Sequence, residues 1–328
     1  MLYNLSNGVM EAQISDFGAK ITRLVIPNDR GERKDVVLGF ATEEEWHTKE
    51  PSFNAVIGRC ANRIKNAQFE LDGRTYHLLA NDRGNTLHGG DHGFNIRIWE
   101  VEEHDERHVR LHYRSADGEE GFPGNLDVWV TYTVTADNAL RIAYEAKTDA
   151  PTLVNLTNHA YFNLEGEQSP SVCDHVLQVL ADTYTPLDET DCPTGEIRSV
   201  EGTPMDFRQP IRIGDRIEDP FFVPSRGINH NWCVPADKEW KKVAVLHADG
   251  RTMEVYTTSP ALQVYTGNWV EANVGKSGTL YRPLNSICLE TQNCPDAIHH
   301  ANFPSPVLRP GEVYKELTEY RFVYEKMG

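Results

Sequence analysis

Six cysteines in 328 residues, at positions 60, 173, 192, 233, 288 and 294, are too few and too scattered to staple a fold. None pairs as C-x-x-C, so their spacing encodes neither a disulfide framework nor a thiolate metal site. Free thiols in a reducing cytoplasm are the expectation. Basic charge is short as well: 32 Lys and Arg face 49 Asp and Glu, for a formal net charge of -17. Nucleic acid and anionic lipid need basic patches, so neither is expected as a partner. No uninterrupted apolar run approaches the roughly 20 residues of a membrane span. The opening "MLYNLSNGVMEAQISDFGAK" lacks the basic start and apolar stretch of an export leader. A cytoplasmic protein is therefore expected. G-x-G-x-x-G, Walker, G-x-S-x-G and H-E-x-x-H patterns are all missing. Phosphate-cradling, serine-hydrolase and zinc-protease readings lose their sequence support with them.

Helical periodicity is also scarce. Only "TEEEWHTK" (42–49) carries a start signal, with Thr42 as N-cap and Glu45 three residues on. It predicts one or two turns. What the chain has instead is short runs of period two, cut by Gly, Asp and Asn. Asp72-Gly73 within 68–79 and Asp249-Gly250 within 243–257 each sit between two alternating runs, a strong hairpin signal. Residues 126–148 predict two long strands joined at Ala136 to Asn138. Further strands are expected at 20–26, 96–103, 108–113, 152–156, 262–266, 286–290 and 318–325. This pattern predicts an all-β fold, a large sandwich or barrel. The stretch 166–240, rich in Pro, Gly and Asp, reads as long loops and short strands. No linker or repeat interrupts the chain, so one domain over residues 1–328 is expected. A chain of this length buries a large core without disulfides or structural metal.

Polar chemistry collects in four islands: "GRCANRIKNAQF" (58–69), "GNTLHGGDHGFNIRIW" (84–99), "NLTNHAYFNL" (155–164) and "SICLETQNCPDAIHH" (286–300). Each admits an ordinary structural explanation. Arg63 suits a solvated cation, His88 and His159 suit satisfied structural histidines, and Glu290 suits a strand end facing water. His299 and His300 are adjacent; on an extended segment they point to opposite faces and poorly suit one metal. No metal site is expected. The joint occurrence changes the balance, because a β scaffold gathers strand ends and loops around one cleft.

These motifs carry a resemblance. "GRCANRI", "NTLHGG", "NLTNHAYFNL", "PTGEI", "GTPMDFR", "QVYTGNW" and "LETQNCPDA…FPSPVLRPGE" resemble the aldose 1-epimerase (galactose mutarotase) family, in order, from about residue 5 onward. The resemblance implies a large antiparallel β-sandwich of the galactose mutarotase type with few short helices, an open sugar cleft and no cofactor. It implies interconversion of the α and β anomers of a free hexose such as galactose or glucose. Glu290 takes the place of the family's general base and His159 that of its general acid. His88, Arg63 and Gln263 match sugar-binding and supporting positions, and Asn62 belongs with them. One position departs from the pattern. Where the family usually reads G-[aromatic]-D-H-N, this chain reads "GINHN" (227–231), with Asn229 in place of a sugar-binding Asp. An amide keeps an acceptor, gains a donor and loses the charge, so hydroxyl recognition changes.

The chemistry fits the residue types. A cyclic aldose opens when its C1 hydroxyl loses a proton and its ring oxygen gains one. Glu290 as carboxylate and His159 as imidazolium suit those roles. His159 must then stay protonated near pH 7, so acceptors beside it are expected to hold its pKa up, with the surrounding Asn and Thr side chains fixing its ring. Arg63 is expected to donate to a sugar hydroxyl or to orient Glu290. Trp232, Trp269 and Phe94 are candidate walls for the sugar ring. Two other readings stay open: a non-catalytic sugar sensor on the same scaffold, and an epimerase for a phosphorylated sugar. The second needs a cation cluster, for which Arg59, Arg63, Arg83 and Arg97 lie near the first islands.

Overall fold

The two Asp-Gly steps turn as their chemistry requires. Asp72 and Gly73 take φ of 51° and 76° between Gln68–Leu71 and Arg74–His77. Asp249 and Gly250 take 48° and 67° between Lys241–Ala248 and Arg251–Thr257. Positive φ at both central residues matches the turn to the twist of the strands it joins. The structure, a computed structural model, describes residues 1–324.

The hairpin at 241–257 belongs to a nine-stranded antiparallel sheet. Its order is Glu100–His104, His108–Ser115, Leu126–Val134, Ala139–Thr148, Tyr314–Val323, Arg251–Thr257, Lys241–Ala248, Val176–Val179 and Ile211–Arg212. Leu126–Val134 alternates buried and half-buried at every position, the mark of a strand with one face on a core. A five-stranded sheet covers that face, in the order Arg198–Ser199, Thr183–Thr185, Asn229–Cys233, Ala261–Tyr265 and Cys288–Gln292. Ala261–Tyr265 and Cys288–Gln292 are buried at every position. Leu262, Val264 and Leu289 point at the large sheet and share its core with Val130, Ile142 and Phe322. Tyr320 Oη donates to Leu289 O across the layers at 2.9 Å. The all-β sandwich expected from the sequence is the fold observed.

Boundaries depart from expectation where tertiary pairing overrides local pattern. The strand expected at 96–103 starts at Glu100, because Phe94–Ile96 makes a 3-10 turn. The one expected at 152–156 splits into Thr152–Leu153, paired to Val307–Leu308, and Thr157–Asn158, paired to Val56–Ile57. The last strand is Tyr314–Val323, and residue 325 of its expected range lies outside the described residues. Thr42 caps Glu43–Thr48 in a full capping box. A second short helix, Gly214–Ile217, has no side-chain cap, which is why nothing in the sequence announced it. Among the described residues no helix is long and apolar enough to cross a membrane.

Candidate active site

The Asn-rich run 155–164 works on the backbone of His159 rather than on its ring. Asn158 Nδ2 donates to Asn54 O at 3.1 Å and to Tyr132 Oη at 3.0 Å. Asn54 N donates to His159 O, and His159 N to Ala55 O, both at 2.9 Å. Tyr161 N donates to Asn54 Oδ1 at 2.9 Å. The imidazole is held by packing: Tyr161 stacks on it at 4.9 Å between centroids and His88 meets it edge-on at 5.2 Å. The expectation that Asn and Thr side chains fix the ring is therefore corrected. Asn158 instead fixes the strand end that carries it, and Thr157 Oγ1 makes no hydrogen bond.

Glu290 lies directly across the sheet from Gln263, which in turn lies across from Asn231. The two-residue period brings Asn229, Gln263 and Glu290 to one face. Gln263 Nε2 donates to Asn229 Oδ1 at 2.8 Å. From the other side comes the two-residue strand Arg63–Ile64, paired to Thr86–Leu87. At its end Asn62 N donates to His88 Nδ1 at 3.2 Å, while His88 N donates to Asn62 O at 2.9 Å. Because Nδ1 accepts, the His88 proton sits on Nε2, which leaves a donor. Gly89 follows with φ of 83°, and a Cβ there would stand 2.2 Å from Gly58 O. Only glycine lets the chain turn so close.

His159, Glu290, Arg63, His88, Asn62, Asn229 and Gln263 line one cleft of about 450 Å³. Within it His159 Nε2 stands 3.6 Å from Glu290 Oε1. Both groups are nearly inaccessible, at 5 % and 1 % exposure. Burial raises the Glu290 pKa from 4.5 to about 8 and lowers that of His159 from 6.5 to about 4. A buried charge forfeits hydration, so each group leans to its neutral form. The expected imidazolium held up by acceptors is thus corrected: His159 Nδ1 is buried without a hydrogen-bond partner. His88 is pushed well below its ordinary value, first by burial and then by the neighbouring His159 and Arg63.

Arg63 does not orient Glu290. Its Nε donates to Asp82 Oδ2 at 2.6 Å, and its Nη2 lies 3.7 Å from Asp191 Oδ2. Arg83 pairs with the same two carboxylates. Arg59 is buried away from the cleft on Ser115, Pro123 and Thr152, and Arg97 faces Glu119. No cluster of four cations forms. Of the three expected walls only Trp269 borders the cleft, 48 % exposed, with the Arg226 guanidinium 4.3 Å from its ring centroid. Trp232 is fully buried and donates to Met205 O, and Phe94 packs on Trp99 in the core. The aromatic side chains missed at sequence level are Tyr161 and Tyr265. Tyr265 stands two residues from Gln263 on the same strand face, and that spacing was the signal, while Tyr161 stands two residues from His159 just past the strand Thr157–Asn158. Glu50 and Asp82 also line the cleft, from loops without local pattern. His299 and His300 both reach buried Asp296, at 2.6 and 3.3 Å, because Ala297–His299 is a 3-10 turn rather than extended chain. Among the described residues no group of three His, Cys, Asp or Glu has metal-site geometry.

The β-sandwich thus brings a carboxyl and an imidazole, both biased by burial toward their neutral forms, together in a cleft lined by amide and ring donors, an arrangement able to pass protons to and from a hydroxyl-bearing ligand. A family model described as Aldose 1-epimerase matches residues 1–321. Galactose mutarotase of Homo sapiens is 44% identical over 325 residues, covering 98% of this chain and 93% of that protein. Aldose 1-epimerase of Escherichia coli (strain K12) is 40% identical over 326 residues, covering 98% and 94%. A solved GalM/aldose epimerase homologue from C. elegans superimposes with a TM-score of 0.90 at 31% identity, covering 99% of each chain. The chain belongs to the aldose 1-epimerase family.

Proposed function

We propose that this protein interconverts the α and β anomers of a free hexose, with Glu290 and His159 as the proton-transfer pair. The observation that carries the reading is their 3.6 Å approach inside one polar cleft. A hemiacetal opens when a base removes the O1 proton and an acid protonates O5. The C1–O5 bond then breaks, the carbonyl turns about C1–C2, and O5 attacks the other face. Between about pH 4 and 8 the pair as a unit holds one proton, resting on Glu290. Glu290 as base with His159 as acid carries the same single proton, moved across the site. Hydrogen bonds from O1 and O5 favour that charged arrangement once a sugar is bound.

Around the pair, His88 Nε2–H, Asn62, Arg63, Asn229 and Gln263 are the groups we assign to the sugar hydroxyls. Arg63 and Arg83 are already paired to Asp82 and Asp191, which favours an uncharged sugar over a phosphorylated one. No cofactor enters the steps. One domain and a cytoplasmic location are part of the proposal. A core that runs from Leu5 to Phe322 supports the first, and six free thiols support the second.

The test is polarimetry on freshly dissolved α-glucose and α-galactose. Purified protein is expected to speed the decay of rotation, and Glu290→Gln and His159→Ala to lose about 10²–10⁴-fold. If both variants keep the rate, the assignment of roles fails. If the wild type binds sugar by calorimetry without speeding the decay, the sensor reading replaces this one.

A further inference from the structure

Cys233 ends the strand that carries Asn229, and Cys294 follows two residues after the strand that carries Glu290. The two Sγ atoms are 3.9 Å apart. Among the described residues no other two cysteine sulfurs come within hydrogen-bond reach. Cys294 sits in a small apolar pocket with Ala261, Ala297 and Phe303, against which Cys233 packs. The small side chain of Ala261, Cα partner of both Cys233 and Gln292, leaves the two sulfurs room to meet across the middle strand. The Asn231 amide reaches both sulfurs, at 4.0 and 3.8 Å. We propose that Cys233 and Cys294 are a thiol-oxidation site that closes to a disulfide under low-molecular-weight disulfides, and that closure slows sugar turnover.

The asymmetry of the pair sets the order of events. Cys233 is half-buried and Cys294 is 3 % exposed. The contact with Cys294 favours the Cys233 thiolate, while that contact and burial keep Cys294 protonated. The Cys233 thiolate attacks one sulfur of the small disulfide, forms a mixed disulfide and expels one thiolate. Cys294 gives its proton to solvent, attacks the Cys233 sulfur and expels the second thiolate. Two protein thiols are oxidised and one small disulfide is reduced to two thiols. A bond of about 2.05 Å must replace the present contact, so the Cys294 backbone is drawn inward. The neighbouring Asn293 N–H donates to Asn155 Oδ1 at 2.8 Å. Asn155 opens the run that carries His159, so closure strains the joint between the two halves of the proton-transfer pair.

The experiment treats the full-length protein with oxidised glutathione, measures mutarotation, then unfolds and alkylates the protein and maps its peptides. Alkylated cysteines should fall from six to four, with a Cys233–Cys294 cross-linked peptide. The kcat should drop about tenfold, within the roughly 10²-fold that a 1 Å misplacement can cost, and dithiothreitol should restore it. Cys294→Ser should show neither the cross-link nor the loss. Six alkylated cysteines, isolated glutathione adducts or a cross-link between other cysteines would overturn the proposal. A mapped cross-link with unchanged kcat would overturn its second half. The peptide map needs no activity, so this outcome is separable from that of the epimerase reading.

Discussion

Replacing Glu290 by glutamine should make the protein more stable while removing its chemistry. Glu290 is 1 % exposed, and burial moves its pKa from 4.5 to about 8. The unfolded chain loses this proton near pH 4.5, whereas the folded chain keeps it up to about 8. Native protein therefore binds the extra proton between those values, and stability falls as pH rises through them. At about 1.4 kcal/mol per unit, the accumulated loss above pH 8 is on the order of 5 kcal/mol. Glutamine keeps the shape, has nothing to ionise and makes no such loss. The difference between variant and wild type should be near zero at pH 4.5, widen through neutrality and level off above pH 8. The opposite shift of His159 acts between about pH 4 and 6.5 in both proteins and cancels to first order in the difference. Urea titrations of both proteins at half-unit steps from pH 5 to 9 measure it. Curves that stay parallel would refute the argument, because they would mean that Glu290 ionises in the folded protein as readily as in the unfolded one.

The same two shifts predict a bell-shaped kcat/KM in the free enzyme, with an acid limb near pH 4 and an alkaline limb near pH 8; a profile centred outside that window would contradict them. Asn229→Asp keeps the acceptor for Gln263 Nε2 and adds charge toward the sugar, where a charged partner adds about 1 kcal/mol per hydrogen bond. The KM for galactose should fall roughly fivefold, read by polarimetry against glucose and xylose as controls. Asn54→Ala removes the acceptor of Tyr161 N and the donor to Leu38 O, both buried. It should cost about 2 to 5 kcal/mol in urea unfolding and lower kcat by loosening His159.

Hairpins, the long central strands and the capped helix were legible because each rests on local chemistry: an Asp-Gly step, an alternating run, a Thr42–Glu45 box. The seven candidate site residues came from family motifs, and their meeting in one cleft comes from registers that join residues far apart in the chain. Gln263 across from Glu290 and Arg63 across from Leu87 are such registers. No local pattern encodes them. Asp82 and Asp191 went unread for the same reason, and the cations they hold looked free in one dimension. Trp232 and Phe94 misled because an aromatic side chain near a polar motif has the same sequence signature whether it faces sugar or core.

The protonation state was the least legible property, and it bears most on the mechanism. Ring opening and ring closure are one step run in two directions, so whichever group gives a proton in the first half must recover it in the second. Exposed to water, the two groups would keep their ordinary values of 4.5 and 6.5 and the charged arrangement would be the favoured one. Burial shifts Glu290 up and His159 down, past one another. Burial alone favours the neutral arrangement. Under the proposed roles, hydrogen bonds from a sugar would favour the charged one and bring the two closer in energy. The fold buries Glu290 on its strand with His159 packed 3.6 Å from it, and the buried Lys20 ammonium adds to the bias against a charged His159, so the hydrogen bonds of a bound sugar are what must offset the preference for the neutral pair.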